Sequence, residues 1–274
     1  MTDRSEWQGR VGRKWAEEWR RTDRSFAGLT DRLLAAASAR PFSRALDVGC
    51  GAGELSLALA RGHAGAEIVG VDVSADLIET ARERGAQLTN VWFEFADAGA
   101  WSRAGFAPDL VVSRHGVMFF PEPVDAFRHL CGLAAPGARL VFSCFRDLAD
   151  NPWAERIAAL VPGSGATSSD PHAPGPFAFA DRDRVEGILT QAGWREVSFE
   201  RADFAYVAGT GDDPVSDALS YFLSIGPAAR AAAELSDDQR ADFIARLRRY
   251  LTNNAQGSLV ALPASAWIVS ARSR

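Results

Sequence analysis

Lysine is almost missing from this chain. Lys14 stands alone, and the other 29 of the 30 basic side chains are arginines. A phosphate-binding P-loop lysine or a Schiff-base lysine would have to be Lys14 itself. It sits in a charged N-terminal stretch that reads as a solvated helix face, so both chemistries are nearly excluded. Positive charge as a whole is short: 35 acidic side chains against 30 basic ones leave a net charge of −5. That is not the excess of charge on which nonspecific binding to a phosphate backbone depends, and nucleic acid is not an expected partner. Three cysteines, Cys50, Cys131 and Cys144, are too few and too scattered for a disulfide framework or a metal knuckle. His63, His129 and His172 have no other ligand type close in sequence, so no metal is expected. No apolar run approaches the ~18 residues of a membrane span. The polar start from Met1 to Glu6 also lacks the apolar segment of a secretory signal. A cytoplasmic enzyme built on one large domain is the expectation.

What the chain does have is the stretch from Ala45 to Glu54. There an apolar run breaks into Gly49, Gly51 and Gly53 before a helical pattern begins at Leu55. Glycines let a backbone turn sharply and approach a ligand closely, and the start of the next helix offers unpaired N–H groups. The dinucleotide fingerprint G-x-G-x-x-G also joins a strand to a helix. Gly53 falls one residue early for it, however, and Glu54 would face a pyrophosphate.

Nineteen residues further on, 67–72 reads as a buried strand ending in Asp72. A carboxylate there can accept from two vicinal ribose hydroxyls, in nicotinamide and adenosylmethionine sites alike. Val73 would flank the adenine, and Ser74 can cap a helix over Leu77, Ile78 and Ala81. A third strand, 91–95, leads to Asp97 and Ala98. A fourth, 108–113, ends at Ser113 and runs into Arg114, His115 and Met118. A helix carrying Val124, Phe127, Leu130 and Leu133 and a fifth strand at 139–145 complete the alternation. Such an order predicts an α/β, doubly wound, mostly parallel sheet that binds its ligand outside the carboxyl ends of the strands.

Asp47, two residues before Gly49 and followed by alternating glycines, resembles the first motif of the class I S-adenosylmethionine-dependent methyltransferases. The resemblance implies a seven-stranded Rossmann-like sheet and S-adenosyl-L-methionine as cofactor. In that family the first acid, here Asp47, helps hold the ligand's amino end, and Gly49 and Gly51 admit its amino-acid moiety. An acid placed as Asp97 meets the adenine amino group. The segment with Ser113, Arg114 and Met118 passes beside the sulfonium, and a helix ahead of the sheet closes over the methyl group, which implies Trp15. Segments 113–120, 151–153, 175–181 and 225–230 look like a bacterial group of small-molecule methyltransferases related to the quinone-biosynthesis methylases. In that group a Phe is expected where this chain has His115. A histidine there could act as general base on a hydroxyl, amine or acidic carbon, or simply fill an aromatic slot.

The expected organisation is an N-terminal helical lid over 1–40, a core over 41–202 plus 265–274, and a helical insertion over 203–264. The insertion would separate a strand at 196–200 from a last strand at 266–270, and would roof the ligand end or form a homodimer contact. Residues 160–180, rich in turn formers, read as a loop. The acceptor pocket would be lined by Trp19, Phe26, Met118, Phe119, Phe145, Trp153, Phe177, Phe179 and Tyr221. Such walls suit a neutral or planar small molecule. The expected activity is methyl transfer to O, C or N of a small organic acceptor. One rival is an NAD(P)-dependent oxidoreductase, disfavoured by the glycine spacing. The other is a non-catalytic adenosylmethionine-binding or scaffold protein, whose pocket should be collapsed or blocked.

Overall fold

In the computed structural model, which describes residues 4–163, 170 and 172–274, buried aliphatic runs alternate with amphipathic helices from residue 44 onward. Three helices come first: α1 (Arg4–Trp7), α2 (Arg10–Glu17) and α3 (Trp19–Ala37). The alternating part runs β1 (Arg44–Val48), α4 (Glu54–Gly62), β2 (Glu67–Asp72), α5 (Ala75–Gly85), β3 (Val91–Phe95), β4 (Leu110–Arg114), α6 (Pro123–Leu133) and β5 (Arg139–Phe145). β1, β2, β4 and β5 are buried over most of their length, as parallel strands must be when helices cover both faces. Next come α7 (Pro152–Ala159), α8 (Arg182–Gln191) and β6 (Arg195–Thr210). The chain closes with α9 (Pro214–Ser224), α10 (Gly226–Glu234), α11 (Asp237–Asn253), β7 (Ala255–Gln256) and β8 (Leu259–Arg272). Of the loop expected at 160–180, residues 164–169 and 171 lie outside the described residues.

The sheet order is β3-β2-β1-β4-β5-β8-β6, with β7 paired to β8. β1 to β5 are parallel, and β8 runs antiparallel to both of its neighbours. This is the doubly wound, Rossmann-like arrangement read from the sequence. Its strand order reverses between β1 and β4, the point at which such sheets bind ligands. β6 and β8 extend well past the expected 196–200 and 266–270, pairing from Arg195 with Arg272 to Thr210 with Leu259. Ala202, Phe204, Tyr206 and Ala208 are buried in strict alternation, so residues 203–210, expected as the start of a helical insertion, are strand. Pro263 is tolerated because β8 has already outrun β5, whose Phe145 pairs with Ala266.

The N-terminal helices divide into two parts. Leu29, Leu33 and Ala37 on α3 are fully buried, and Arg139 donates to the carbonyls of Ala36, Ala37 and Arg40 at the end of that helix. Arg21 and Arg24 each pair with Asp217 of α9 at 2.8 Å. α3 is therefore a core element, clamped between the sheet and α9. α2 instead rests on the start of α5: a Cβ at Gly12 would lie 2.2 Å from Ser74 Oγ. Among the described residues no helix is long and apolar enough to cross a membrane.

Candidate functional site

β1 ends at Val48 and the chain must reverse into α4 within five residues. Gly49, Gly51 and Gly53 accordingly take φ values of 65°, 55° and 86°, in the left-handed region that glycine occupies without strain. Their surroundings differ. A Cβ on Gly49 would sit 2.8 Å from Gly116 Cα, because the loops after β1 and β4 cross in contact. A Cβ on Gly53 would meet the Phe93 ring at 2.9 Å. Only at Gly51 would a Cβ meet nothing within 4 Å, so of the three it is Gly51 that leaves room for a ligand. Gly116 went unremarked in the sequence, where nothing marks it as the counterpart of Gly49.

Three carboxylates mark the carboxyl ends of β1, β2 and β3: Asp47 one residue before the end of β1, Asp72 the last residue of β2, and Asp97 two residues past β3. Asp72 accepts from the Gly51 N–H on one oxygen and the Ser74 N–H on the other, each at 2.9 Å. A carboxylate has about four acceptor positions, so about two remain for ligand hydroxyls. Burial raises the Asp72 pKa, opposed by the backbone N–H groups of Gly51, Ser74 and Val73. Asp47 accepts from Ser56 Oγ at 2.6 Å. Burial pushes its pKa up to about 6, against the pull of Ser56 and Arg114. Asp97 accepts from the Gly99 N–H at 2.9 Å.

At the end of β4 the Arg114 guanidinium pairs with Glu54, lies 3.7 Å from Asp23 and donates to Thr30 Oγ1 at 2.9 Å. The Glu54 charge that argued against a pyrophosphate is thus turned toward Arg114. Ser113 is fully buried; its hydroxyl donates to the Val48 carbonyl at 2.6 Å and accepts from the Gly116 N–H at 3.1 Å. It ties β4 to β1 and does not reach the ligand space. His115 adopts a left-handed φ of 67° and stacks on Phe145 at 4.3 Å. Its Nδ1 lies 3.2 Å from the Ser143 carbonyl oxygen. The Ser143 hydroxyl lies 3.4 Å from the same nitrogen; because an unprotonated Nδ1 would set its lone pair against the nearer carbonyl oxygen, the proton is assigned to Nδ1 and Nε2 is the acceptor. Burial, with Arg114 next to it, pushes the His115 pKa down to about 3. An imidazole so reluctant to hold a proton is poorly suited to the general-base role read from the sequence.

These groups open onto a cavity of about 1250 Å³ at the carboxyl ends of the strands. Trp15, Asp47, Gly49, Gly51, Asp72, Val73, Asp97, Ala98, Arg114, His115 and Met118 line it, with Phe26, Phe119, Phe145, Trp153, Phe177 and Tyr221. Trp19 and Phe179 do not, contrary to expectation. The helix breaks at Glu18, so the spacing from Trp15 to Trp19 is not kept; Trp19 lies against the guanidinium groups of Arg84 (3.7 Å) and Arg20 (4.3 Å). Phe179 is buried in the core against Phe127 and Phe142. Trp7 and Tyr206 were not anticipated as lining residues. Trp7 packs on Trp15 and Phe119, and Tyr206 stacks on Trp153 at 5.2 Å. The alternation along β6 was the available signal for Tyr206. Ligand pockets usually enclose ~300–1,000 Å³, so this one has room for a nucleoside and a second small molecule. No group of metal-ligating side chains occurs among the described residues.

A family profile described as a methyltransferase domain matches residues 41–172. A trans-aconitate 2-methyltransferase of Methylobacterium radiotolerans is 33% identical over 121 residues, 44% of each chain. A second, from Variovorax paradoxus, is 30% identical over 46% of this chain and 52% of its own, so the chain spans about half the length of these relatives. An uncharacterized protein of Mycobacterium tuberculosis is 30% identical over 219 residues, 76% of this chain and 77% of its own. In fold, the chain is similar to the N-methyltransferase NodS of Bradyrhizobium japonicum solved with S-adenosyl-L-homocysteine. The TM-score is 0.52 at 17% identity, over 91% of this chain and 87% of that one.

Proposed function

The chain belongs to the class I S-adenosylmethionine-dependent methyltransferases, and on that footing we propose that it methylates a small, largely uncharged and planar acceptor at O, C or N. The observation that carries this is Asp72. Its carboxylate is held by the backbone of Gly51 and Ser74 at the end of β2, beside a cavity too large for a nucleoside alone. The residues fit the family's cofactor. Gly51 leaves an open side, Asp72 keeps acceptor positions for two ribose hydroxyls, and Asp47 offers a buried carboxylate to a cationic amino group. Asp97 and Ala98 would flank the adenine. When bound, S-adenosylmethionine supplies an electrophilic methyl group on a sulfonium.

The protein's part is orientation and the exclusion of water. Phe26, Phe145 and Trp153 give the acceptor an aromatic wall, and in-line alignment of nucleophile and methyl carbon can supply much of the rate. The acidic substrate named for the trans-aconitate relatives suits this cavity poorly. Five carboxylates, Glu6, Asp47, Asp72, Asp97 and Glu234, line it against the four cations Arg10, Lys14, Arg114 and Arg230. Three of those cations already face a carboxylate.

Incubation with methyl-labelled S-adenosylmethionine and a panel of phenols, quinols, amines and acids, followed by mass detection, tests the reading. Transfer to at least one uncharged planar acceptor is expected, and transfer only to polycarboxylates would overturn it. Replacing Asp72 with Ala should weaken S-adenosylhomocysteine binding roughly 100-fold, since two charge-assisted hydrogen bonds are lost. An unchanged Kd by calorimetry would remove the ribose from Asp72.

A further inference from the structure

The two ends of the cavity are separated by the strand order. Asp72 ends β2 and Asp97 follows β3, whereas Phe145 and Tyr206 belong to β5 and β6 on the far side of the switch point. Three side chains that line the cavity bury a polar atom that has no hydrogen-bond partner among the described residues: Trp7 Nε1, beside Trp15 and Phe119, and, at this second end, His115 Nε2 and Trp153 Nε1. His115 and Trp153 are each 9% exposed. A buried polar atom left unmade is costly, and native structures seldom keep one without a reason.

The two atoms at the second end are opposite in kind. The bond of His115 Nδ1 to the Ser143 carbonyl leaves Nε2 as an acceptor, and the indole nitrogen of Trp153 only donates. They flank one ring, Phe145, with His115 stacked on it at 4.3 Å and Trp153 edge-on to it at 6.0 Å. Trp153 in turn lies parallel to Tyr206, at 6° between the planes.

We infer that the acceptor is a planar compound bearing both a hydroxyl and a carbonyl oxygen, the hydroxyl donating to His115 Nε2 and the carbonyl accepting from the Trp153 indole N–H. This deepens the transferase reading above and rests on it for the role of the ligand. His115 is then a specificity residue. It recognises the hydroxyl as an intact O–H and does not remove its proton, in keeping with an imidazole that burial and Arg114 keep neutral. An acceptor without either group would leave a buried atom unpaired, the situation in which sites reject an analogue most strongly.

The test is calorimetric titration of the protein, with and without S-adenosylhomocysteine. The ligands are the three hydroxyacetophenone isomers, acetophenone, which lacks the hydroxyl, and the three ethylphenols, which lack the carbonyl. At least one hydroxyacetophenone should bind about tenfold or more tightly than acetophenone and than its matching ethylphenol. Trp153→Phe should abolish the advantage over ethylphenol alone, and His115→Phe the advantage over acetophenone alone. Because His115 is in the left-handed region, His115→Asn serves as a second variant that tolerates this backbone while withdrawing the acceptor from the Nε2 position. Equal binding of all the compounds, binding by none, or a preference that survives the substitutions overturns the inference. Loss of S-adenosylhomocysteine binding with the discrimination intact would instead count against the transferase reading.

Discussion

Asp47 carries the clearest pH dependence at the residue scale. Its carboxyl titrates near 6 in the folded chain against an ordinary value of 3.8, because burial disfavours the charge. The stability attached to it is therefore complete below about pH 3.8 and lost as the pH rises through about 6. At neutral pH the ligand-free protein holds a buried charge that a cationic amino group would match. Asp47→Asn should raise the thermal stability of the free protein, by at most about 3 kcal/mol, while weakening S-adenosylhomocysteine binding. In the parent protein that binding should weaken as the pH falls through about 6. Melting curves paired with titrations at several pH values check both, and a variant that lost stability and affinity together would contradict the account. His115 has the opposite sign: its depressed pKa means that stability is lost as acid drives the pH below about 6.5 toward 3.

The glycines separate just as clearly. Gly49→Ala meets both a left-handed backbone and Gly116 Cα at 2.8 Å, and should cost ~2–4 kcal/mol of stability. Gly51→Ala has only the backbone strain, ~1–2 kcal/mol, yet its methyl group would occupy the space kept for the ligand. Denaturant unfolding should rank Gly49→Ala as the less stable variant. Calorimetry should show that Gly51→Ala loses S-adenosylhomocysteine affinity while still folded. The alternating glycines were plain in the sequence, but their division into packing and ligand-facing positions was not. Gly116 is 67 positions from Gly49, and only the crossing of two loops joins them.

At the scale of elements, α2 is held to the body of the protein lightly. Gly12 is its one buried residue, and an added Cβ would lie 2.1 Å from the Trp7 carbonyl oxygen and 2.2 Å from Ser74 Oγ. Gly12→Ala should displace α1 and α2 from the mouth of the cavity and leave the sheet intact. A fall of roughly tenfold or more in kcat/KM, with a melting temperature close to the parent's, is the expected result. A large loss of stability would mean that α2 belongs to the core. That α3 does belong there was hard to read, because a helix packed on a sheet and a helix closing over a ligand show the same apolar stripe. Arg139, far along the chain, caps it. The long pairing of β6 with β8 was legible in principle, since Ala202, Phe204, Tyr206 and Ala208 alternate. It was obscured by the helical periods of α9 and α11, which follow closely.

On the scale of the whole molecule, ligand binding and stability should be linked through the switch point, where the loops after β1 and β4 meet. S-adenosylhomocysteine at about 100 times its Kd should stabilise the chain by ~2.7 kcal/mol, seen as a rise in melting temperature that Asp72→Ala removes. NADH should give no such rise, and if it did while S-adenosylhomocysteine failed, the oxidoreductase reading would stand in its place. Local pattern by itself determined the alternation of strands and helices, the doubly wound sheet and the cofactor class, because hydrophobic period, glycine spacing and a carboxylate at a strand end are properties of short segments. Only the tertiary structure decided which aromatic residues face the cavity, that Arg114 is matched by Glu54 and Asp23, and that His115 is buried and neutral. Those outcomes depend on desolvation and on contacts between residues far apart in the chain, which no local pattern encodes.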